Sequence, residues 1–193
     1  MNLVLKSPPK IEPISLEEVK THLRLDSGDM SEDIDLAAYL TAAREFCEDF
    51  QNRAYITQTW EASFDDWPDR EIKLPKGSLQ TVDLVSYKDS SGVTCQVTDF
   101  VYSPRGILGR LTPAYGKSWP SFTPYPLDAV VIEFTCGYGD TAASVPGKVI
   151  QAIKLLISHW YVNRTPLSET GKAPNEIEFT ISALLWQDRI VPV

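Results

Sequence analysis

Residues 36–64 read LAAYLTAAREFCEDFQNRAYITQTWEASF, and the period of the chain changes in the middle of this stretch. Leu36, Leu40, Ala43, Cys47 and Phe50 follow a 4-3-4-3 spacing, which lays one apolar stripe along a helix. Ala42 and Phe46 are expected to widen that stripe. From Tyr55 the spacing falls to two. Gln58, Trp60, Ala62 and Phe64 share one face of a strand, with Thr59, Glu61 and Ser63 on the other. A helix therefore hands over to a sheet near Asn52, which points to a mixed fold.

Upstream, Ser15-Leu16-Glu17-Glu18 is a capping box, with Ser15 as the cap and Glu18 three residues on. It predicts a short helix to about Leu25, with Leu16, Val19 and Leu23 inward. Asp26 to Asp29 reads as a turn. Ser31 is expected to cap the second helix, whose first turn carries Glu32, Asp33 and Asp35 at the positive end of the helix dipole.

Downstream, short strands are predicted at 71–74, 81–88, 93–97, 100–103 and 107–111, with Asp89-Ser90-Ser91-Gly92 as a hairpin turn. A loop rich in Pro, Tyr and Trp covers 112–127. Ala129 to Thr135 is the most apolar strand, ended by Gly137-Tyr138-Gly139-Asp140. Pro146 suits the first position of a helix running to about Arg164, with Val149, Ile150, Ile153, Leu156, Ile157 and Trp160 on its apolar face. Residues 165–175 read as a flexible linker, and 176–189 as a last short helix. The expected architecture is α+β: a small helical bundle from 1–54 and 145–164, a large antiparallel β-rich insertion over 55–144, and a mobile linker and C-terminal tail over 165–193.

The 193 residues carry 43% apolar and 23% charged side chains, a globular composition. No stretch approaches the roughly 18 apolar residues of a membrane span. The N-terminal apolar run is too short for a signal peptide, so a soluble protein assembled in the cytoplasm, without a membrane partner, is expected. The net charge is −8, and residues 26–50 alone hold −7 of it. That distribution excludes an ordinary sequence-reading DNA binder, which shows a basic stripe. It is compatible with letting DNA slide, because phosphate repulsion removes the counterion-release term behind non-specific binding. Glu32, Asp33, Asp35, Glu45, Glu48 and Asp49 are the candidate acidic surface facing such a DNA channel.

Cys47, Cys95 and Cys136 are too far apart in sequence for the close pairs of a zinc site. His22 and His159, the two histidines, lack the motif context of a catalytic centre. Gly137-Tyr138-Gly139 lacks the Lys-Ser/Thr that completes a phosphate loop, and the aspartates of 26–35 lack calcium-loop spacing. The reading is of a non-enzyme with no metal or cofactor. In the tail, Ile177, Phe179, Ile181, Leu184, Leu185 and Trp186 follow a linker. A helix that short either folds back on the bundle or docks on a partner, and these six are the candidate docking residues.

The order of motifs resembles a known family. Pro13-Ile14-Ser15-Leu16-Glu17-Glu18-Val19-Lys20, His22-Leu23-Arg24-Leu25-Asp26 and Ala42-Ala43-Arg44-Glu45-Phe46-Cys47-Glu48 look like the N-terminal signature of head–tail connector proteins of long-tailed phages. These are also called adaptor or head-completion proteins, and prophages and gene-transfer particles carry them. The similarity continues through Asn52-Arg53-Ala54 and Gln58-Thr59-Trp60. It resumes at Gly137-Tyr138-Gly139, Val145-Pro146, Ile150-Gln151-Ala152-Ile153 and His159-Trp160-Tyr161-Val162-Asn163-Arg164. The resemblance implies a structural protein at the virion head–tail junction: a ring of about twelve identical copies, built through heterologous contacts. The ring would bind the portal protein on one side and a stopper or tail-terminator protein on the other, with double-stranded DNA passing through its lumen without sequence-specific contacts. The alternatives are a carbohydrate- or receptor-binding β module, expected if the tryptophans cluster on an exposed face, and a small hydrolase, expected if a histidine meets a carboxylate in a pocket.

Overall fold

The computed structural model describes residues 1–164 and 175–191, with the side chains of 175–179 outside the description. The chain divides into two compact units, 1–10 with 57–138 and 11–56 with 139–193.

The first unit is all β. Its larger sheet has five antiparallel strands in the order β1 (Asn2–Ser7), β2 (Gln58–Phe64), β8 (Val130–Cys136), β4 (Leu79–Lys88) and β5 (Thr94–Gln96). β8 is central, paired in register with β2 from Gln58↔Cys136 to Phe64↔Val130. Its even positions Val130, Ile132, Phe134 and Cys136 are fully buried while the odd ones are half-buried. That is the alternation of a strand with one face in the core. The second sheet has the order β3 (Ile72–Leu74), β7 (Gly109–Pro113) and β6 (Phe100–Ser103), with Ile72, Leu74 and Leu111 buried. Gly109 is where this sheet approaches the first. A Cβ there would lie 2.5 Å from the Leu79 side chain of β4, so only glycine fits.

The second unit is helical: α1 (Leu16–Leu23), α2 (Asp33–Gln51), α3 (Gly147–Val162) and α4 (Asn175–Leu185), then a 3-10 turn at Trp186–Asp188. Successive helices pack against one another. The Ser15 capping box is present in full: Ser15 Oγ accepts from the Glu18 amide, and Glu18 accepts from the Ser15 amide at 2.9 Å. Leu36, Leu40, Ala43 and Cys47 face the core beside Val149, Ile153 and Ile157. The α+β class with antiparallel sheets is as expected.

Several local expectations differ. Residues 2–7 form strand β1, where no element was predicted; nearly every side chain of this edge strand is exposed, so no burial alternation marks it. Ser31 is not a cap: α2 starts after Glu32, with no side-chain cap. Ala42 and Phe46 do not widen the buried stripe. They are exposed, and Arg44, Glu48 and Gln51 take the inward places. The inward charge is tolerated because it is paired. Arg44 Nη1 donates to Glu48 Oε2 at 2.8 Å and Arg44 Nε to Glu12 Oε2 at 2.8 Å. The Tyr55 amide donates to Glu48 Oε1 at 2.7 Å. Gly137 and Gly139 have φ of 134° and 156°, and a Cβ on Gly139 would lie 2.6 Å from Ser144 Oγ. The Gly-Tyr-Gly run is thus a backbone requirement at the exit of β8. The predicted 165–175 linker lies, up to residue 174, outside the described residues.

Candidate assembly surfaces

The six acidic residues expected to face a channel separate into two groups. Glu48 is buried at 6% exposure and engaged by Arg44 and Tyr55, so it cannot contribute to a negative surface. Its place in the inward arc of α2 is visible only once Arg44 is known to turn inward beside it. Glu32 and Asp33 are half-buried and tied down. Glu32 accepts from Tyr161 Oη and from Arg164 Nη2, both at 2.6 Å, so the C-terminal end of α3 holds the start of α2. Those hydrogen bonds, Tyr161 first, hold the Glu32 carboxyl below its usual range, and Glu32 in turn pushes the Tyr161 phenol up. Asp33 Oδ1 lies 2.5 Å from Lys20 Nζ. Asp35, Glu45 and Asp49 remain exposed. Glu45 and Asp49 share one side of the last turns of α2. Asp35 lies ten residues before Glu45, about 15 Å along the axis.

Lys20 is the residue that sequence reasoning missed. It sits on the inward face of α1 at 5% exposure. Its ammonium donates to the backbone oxygens of Asp29 at 2.7 Å and Ser27 at 3.5 Å, besides pairing with Asp33. The aspartate-rich loop between α1 and α2 thus wraps around a tethered cation. The signal in the sequence was a lysine one position after Val19, inside the apolar stripe of the helix.

The tail residues also separate. Ile181 and Leu185 are buried, at 3% and 0% exposure, within the chain's own helical unit, which corrects their assignment as free docking residues. The physical reason is a set of backbone partners. Gln51 Nε2 donates to the Leu185 carbonyl at 2.7 Å, Asn52 Nδ2 to the Ile190 carbonyl at 2.8 Å, and Arg53 Nε to the Asp188 carbonyl at 2.6 Å. The Ile190 amide returns a bond to the Gln51 carbonyl at 2.9 Å. Leu184 is half-buried. Trp186 is 60% exposed, with its ring tilted against Phe50 at 6.4 Å. The side chains of Ile177 and Phe179 lie outside the described residues.

Most of the features behind the rival readings are engaged in structure. Trp67 and Trp119 stack on each other at 4.6 Å and 8°, flanked by Tyr87 and Phe122. Their indole N–H groups donate to the carbonyls of Pro120 and of Asp69 and Arg70. The stack takes one flat face of each indole, and the cluster anchors the 112–127 loop. His22 lies in an open hollow with Ser15, Glu17, Glu18, Thr21 and Lys154. Ser15 and Glu18 are committed there to the helix cap. His159 Nδ1 lies 3.1 Å from Asn163 Nδ2, in a hollow with no carboxylate among its described lining. Among the described residues, no group of His, Cys, Asp and Glu side chains could hold a metal ion, and no helix is long and apolar enough to cross a membrane.

No curated protein matches the chain. Solved structures do. A chain from the neck of an empty gene transfer agent particle, computed with C6 symmetry, matches with a TM-score of 0.82 and 27% identity, covering 100% of this chain and 97% of that one. A chain from the virion of the native gene transfer agent particle matches at 0.80 and 25%, with the same coverage. One from the neck of the native particle with C12 symmetry matches at 0.76 and 25%. The model of the head completion protein family matches residues 12–173, most of the length, and the chain therefore belongs to the head completion protein family.

Proposed function

We propose that this protein is a structural component of the head–tail junction of a phage or gene-transfer particle. Many copies form a ring between the portal and the stopper or tail, and DNA passes through the lumen. The observation that carries this reading is the likeness over the whole chain to proteins in the neck of gene transfer agent particles, together with the family match. The protein acts by geometry and charge, not by turnover. In its helical unit the polar groups with the shortest contacts hold helices and the tail together. The acidic groups that reach solvent on α2 are Asp35 near its start and, on its later turns, Glu45, which also pairs with Arg44 at 3.3 Å, and Asp49; Glu32 and Asp33 are half-buried and Glu48 is buried.

The test is deletion of the coding gene from the producing element. The expected particles are heads without attached tails, restored by the intact protein supplied in trans. Tailed, DNA-retaining particles of normal appearance in the deletion strain would refute the reading.

A further inference from the structure

The loop between α1 and α2 is firmly built, yet it displays apolar side chains to solvent. Lys20 buries its ammonium under the loop, and Glu32 is clamped by Tyr161 and Arg164. Met30, three residues before α2, is 76% exposed, and Ile34, in the first turn of α2, is 86% exposed. Asp26, Asp29 and Asp35, close to them in the chain, are exposed as well. Met30 and Ile34 thus form an exposed apolar knob on an anchored segment, with acidic residues beside them in the chain. An ordered backbone lowers the entropy lost on binding, which favours a docking element over a mobile turn.

The β unit carries a surface of the opposite kind. The hairpin between β6 and β7 exposes Val101 at 54% and Ile107 at 64%. Arg105, Arg110 and Lys73 lie around them, exposed. Lys73 and Arg110 stand directly opposite each other across β3 and β7. Like charges placed so are destabilising unless something neutralises them. Glu71 answers only in part, at 3.8 Å from Arg110. This is an apolar patch with a basic rim, on a chain whose net charge is −8.

We propose that these two faces meet between copies: the Met30–Ile34 knob of one chain seats on the β6–β7 hairpin of a second copy. The occupant is another copy of this chain because the two faces are matched in kind, apolar centre to apolar centre and acidic neighbours to basic rim. A contact between two different faces of identical subunits is heterologous and propagates, as a ring or filament requires. The inference rests on the ring in the proposed function and adds the surfaces that build it.

Disulfide trapping of the full-length protein tests it. The double variant Ile34→Cys, Ile107→Cys, oxidised at high concentration, gives a ladder of linked species beyond the dimer. Each single variant gives only background. Arg105→Glu with Arg110→Glu in the double-cysteine protein reduces the ladder about fivefold, the size expected of a pair of exposed ion pairs. Adding Asp35→Lys restores part of it. Circular dichroism of each variant confirms that the fold is intact.

Two results overturn the proposal. One is a double variant that links no better than the singles. The other is an Ile34→Cys single variant that forms dimers as efficiently, which would mean a symmetric contact. Electron microscopy of the wild-type protein with its portal separates this failure from failure of the underlying reading. Rings without a ladder mean that other surfaces join the copies, whereas tailed particles in the deletion strain remove the ring itself.

Discussion

Lys20 shows how one residue can hold a loop that its own sequence pattern does not predict. The flexible stem of a lysine lets the ammonium reach two carbonyl oxygens and a carboxylate that an aliphatic side chain would leave unanswered. Lys20→Met keeps the apolar stem and removes the charge. It is expected to destabilise the protein by about 3 kcal/mol, because the partly buried Asp33 loses its counter-ion. Urea titration measures this, and a change under ~0.5 kcal/mol would place the ammonium among ordinary surface charges.

Glu32 and Tyr161 make a second residue-scale prediction, in pH. The Glu32 carboxyl is held low in the folded chain, so its contribution is present above the ordinary carboxylate range. It is lost as pH falls through the lowered folded value. Tyr161 is pushed up, so its contribution is present below the ordinary phenol range and is lost as pH rises through the raised folded value. Tyr161→Phe is expected to weaken the acid-side dependence and to remove Tyr161's share of the alkaline one, leaving that of Tyr87. Melting temperature against pH, from the acid limb to above pH ~10, is the measurement. An unchanged profile would mean that solvent screens the pair completely.

At the scale of elements, α4 decides what the tail is. An amphipathic helix after a polar stretch is compatible with a docking peptide, but Ile181, Leu185 and Ile190 are buried in their own unit. Leu185→Ala should therefore cost about 3 kcal/mol, as for a core leucine. Trp186→Ala should cost under about 1 kcal/mol, because the ring is mostly solvated and its ring contacts are a tilted one with Phe50 at 6.4 Å and the Arg189 guanidinium at 5.2 Å. Chemical denaturation of both variants reads the difference, and equal losses would mean that Trp186 is part of the core. If the tail also meets a partner, the exposed Trp186 is the side chain available to do so. The same scale explains the tryptophan pairs. Trp67-Pro68 and Trp119-Pro120 lie on separate loops, and stacking the two indoles turns both loops into one local core.

For the whole molecule, the charge total is a poor guide to where negative potential stands. Much of the −7 of residues 26–50 is internal bookkeeping: Glu48 with Arg44, Asp33 with Lys20, Glu32 with Arg164. What reaches solvent from the later turns of α2 is Glu45 and Asp49. If these line the lumen, they act on a polyanion within about one Debye length, roughly 8 Å at physiological salt. Glu45→Lys with Asp49→Lys should leave stability within ~0.5 kcal/mol and increase retention of non-specific DNA at low salt. Filter binding over a salt series checks it. Identical retention by wild type and variant would place these two groups away from DNA.

The sequence by itself determined the class of the fold and most of its elements. The switch from a 4-3-4-3 spacing to a spacing of two at Tyr55, the Ser15 box and the apolar run at 129–135 are local signals. Local hydrogen bonding writes the box and one-sided burial the 129–135 run; in β2 both Ala62 and Ser63, on opposite faces, are buried, so its spacing of two is a signal of the strand and not of a single buried face. Family membership was legible as well, because it lies in the order of such motifs. The tertiary structure alone decided which polar residues go inside. Arg44, Glu48, Lys20 and Gln51 are buried because partners outside their own pattern, Glu12, Tyr55, Asp33 and Leu185 among them, some of them far along the chain, answer their charge or hydrogen bonds. A periodicity count assigns each residue by its own polarity, and a buried polar group obeys the polarity of its neighbours instead. For the same reason the acidic helix and the tail, both read correctly as elements, could be divided into structural and exposed residues only after the chain had folded around them.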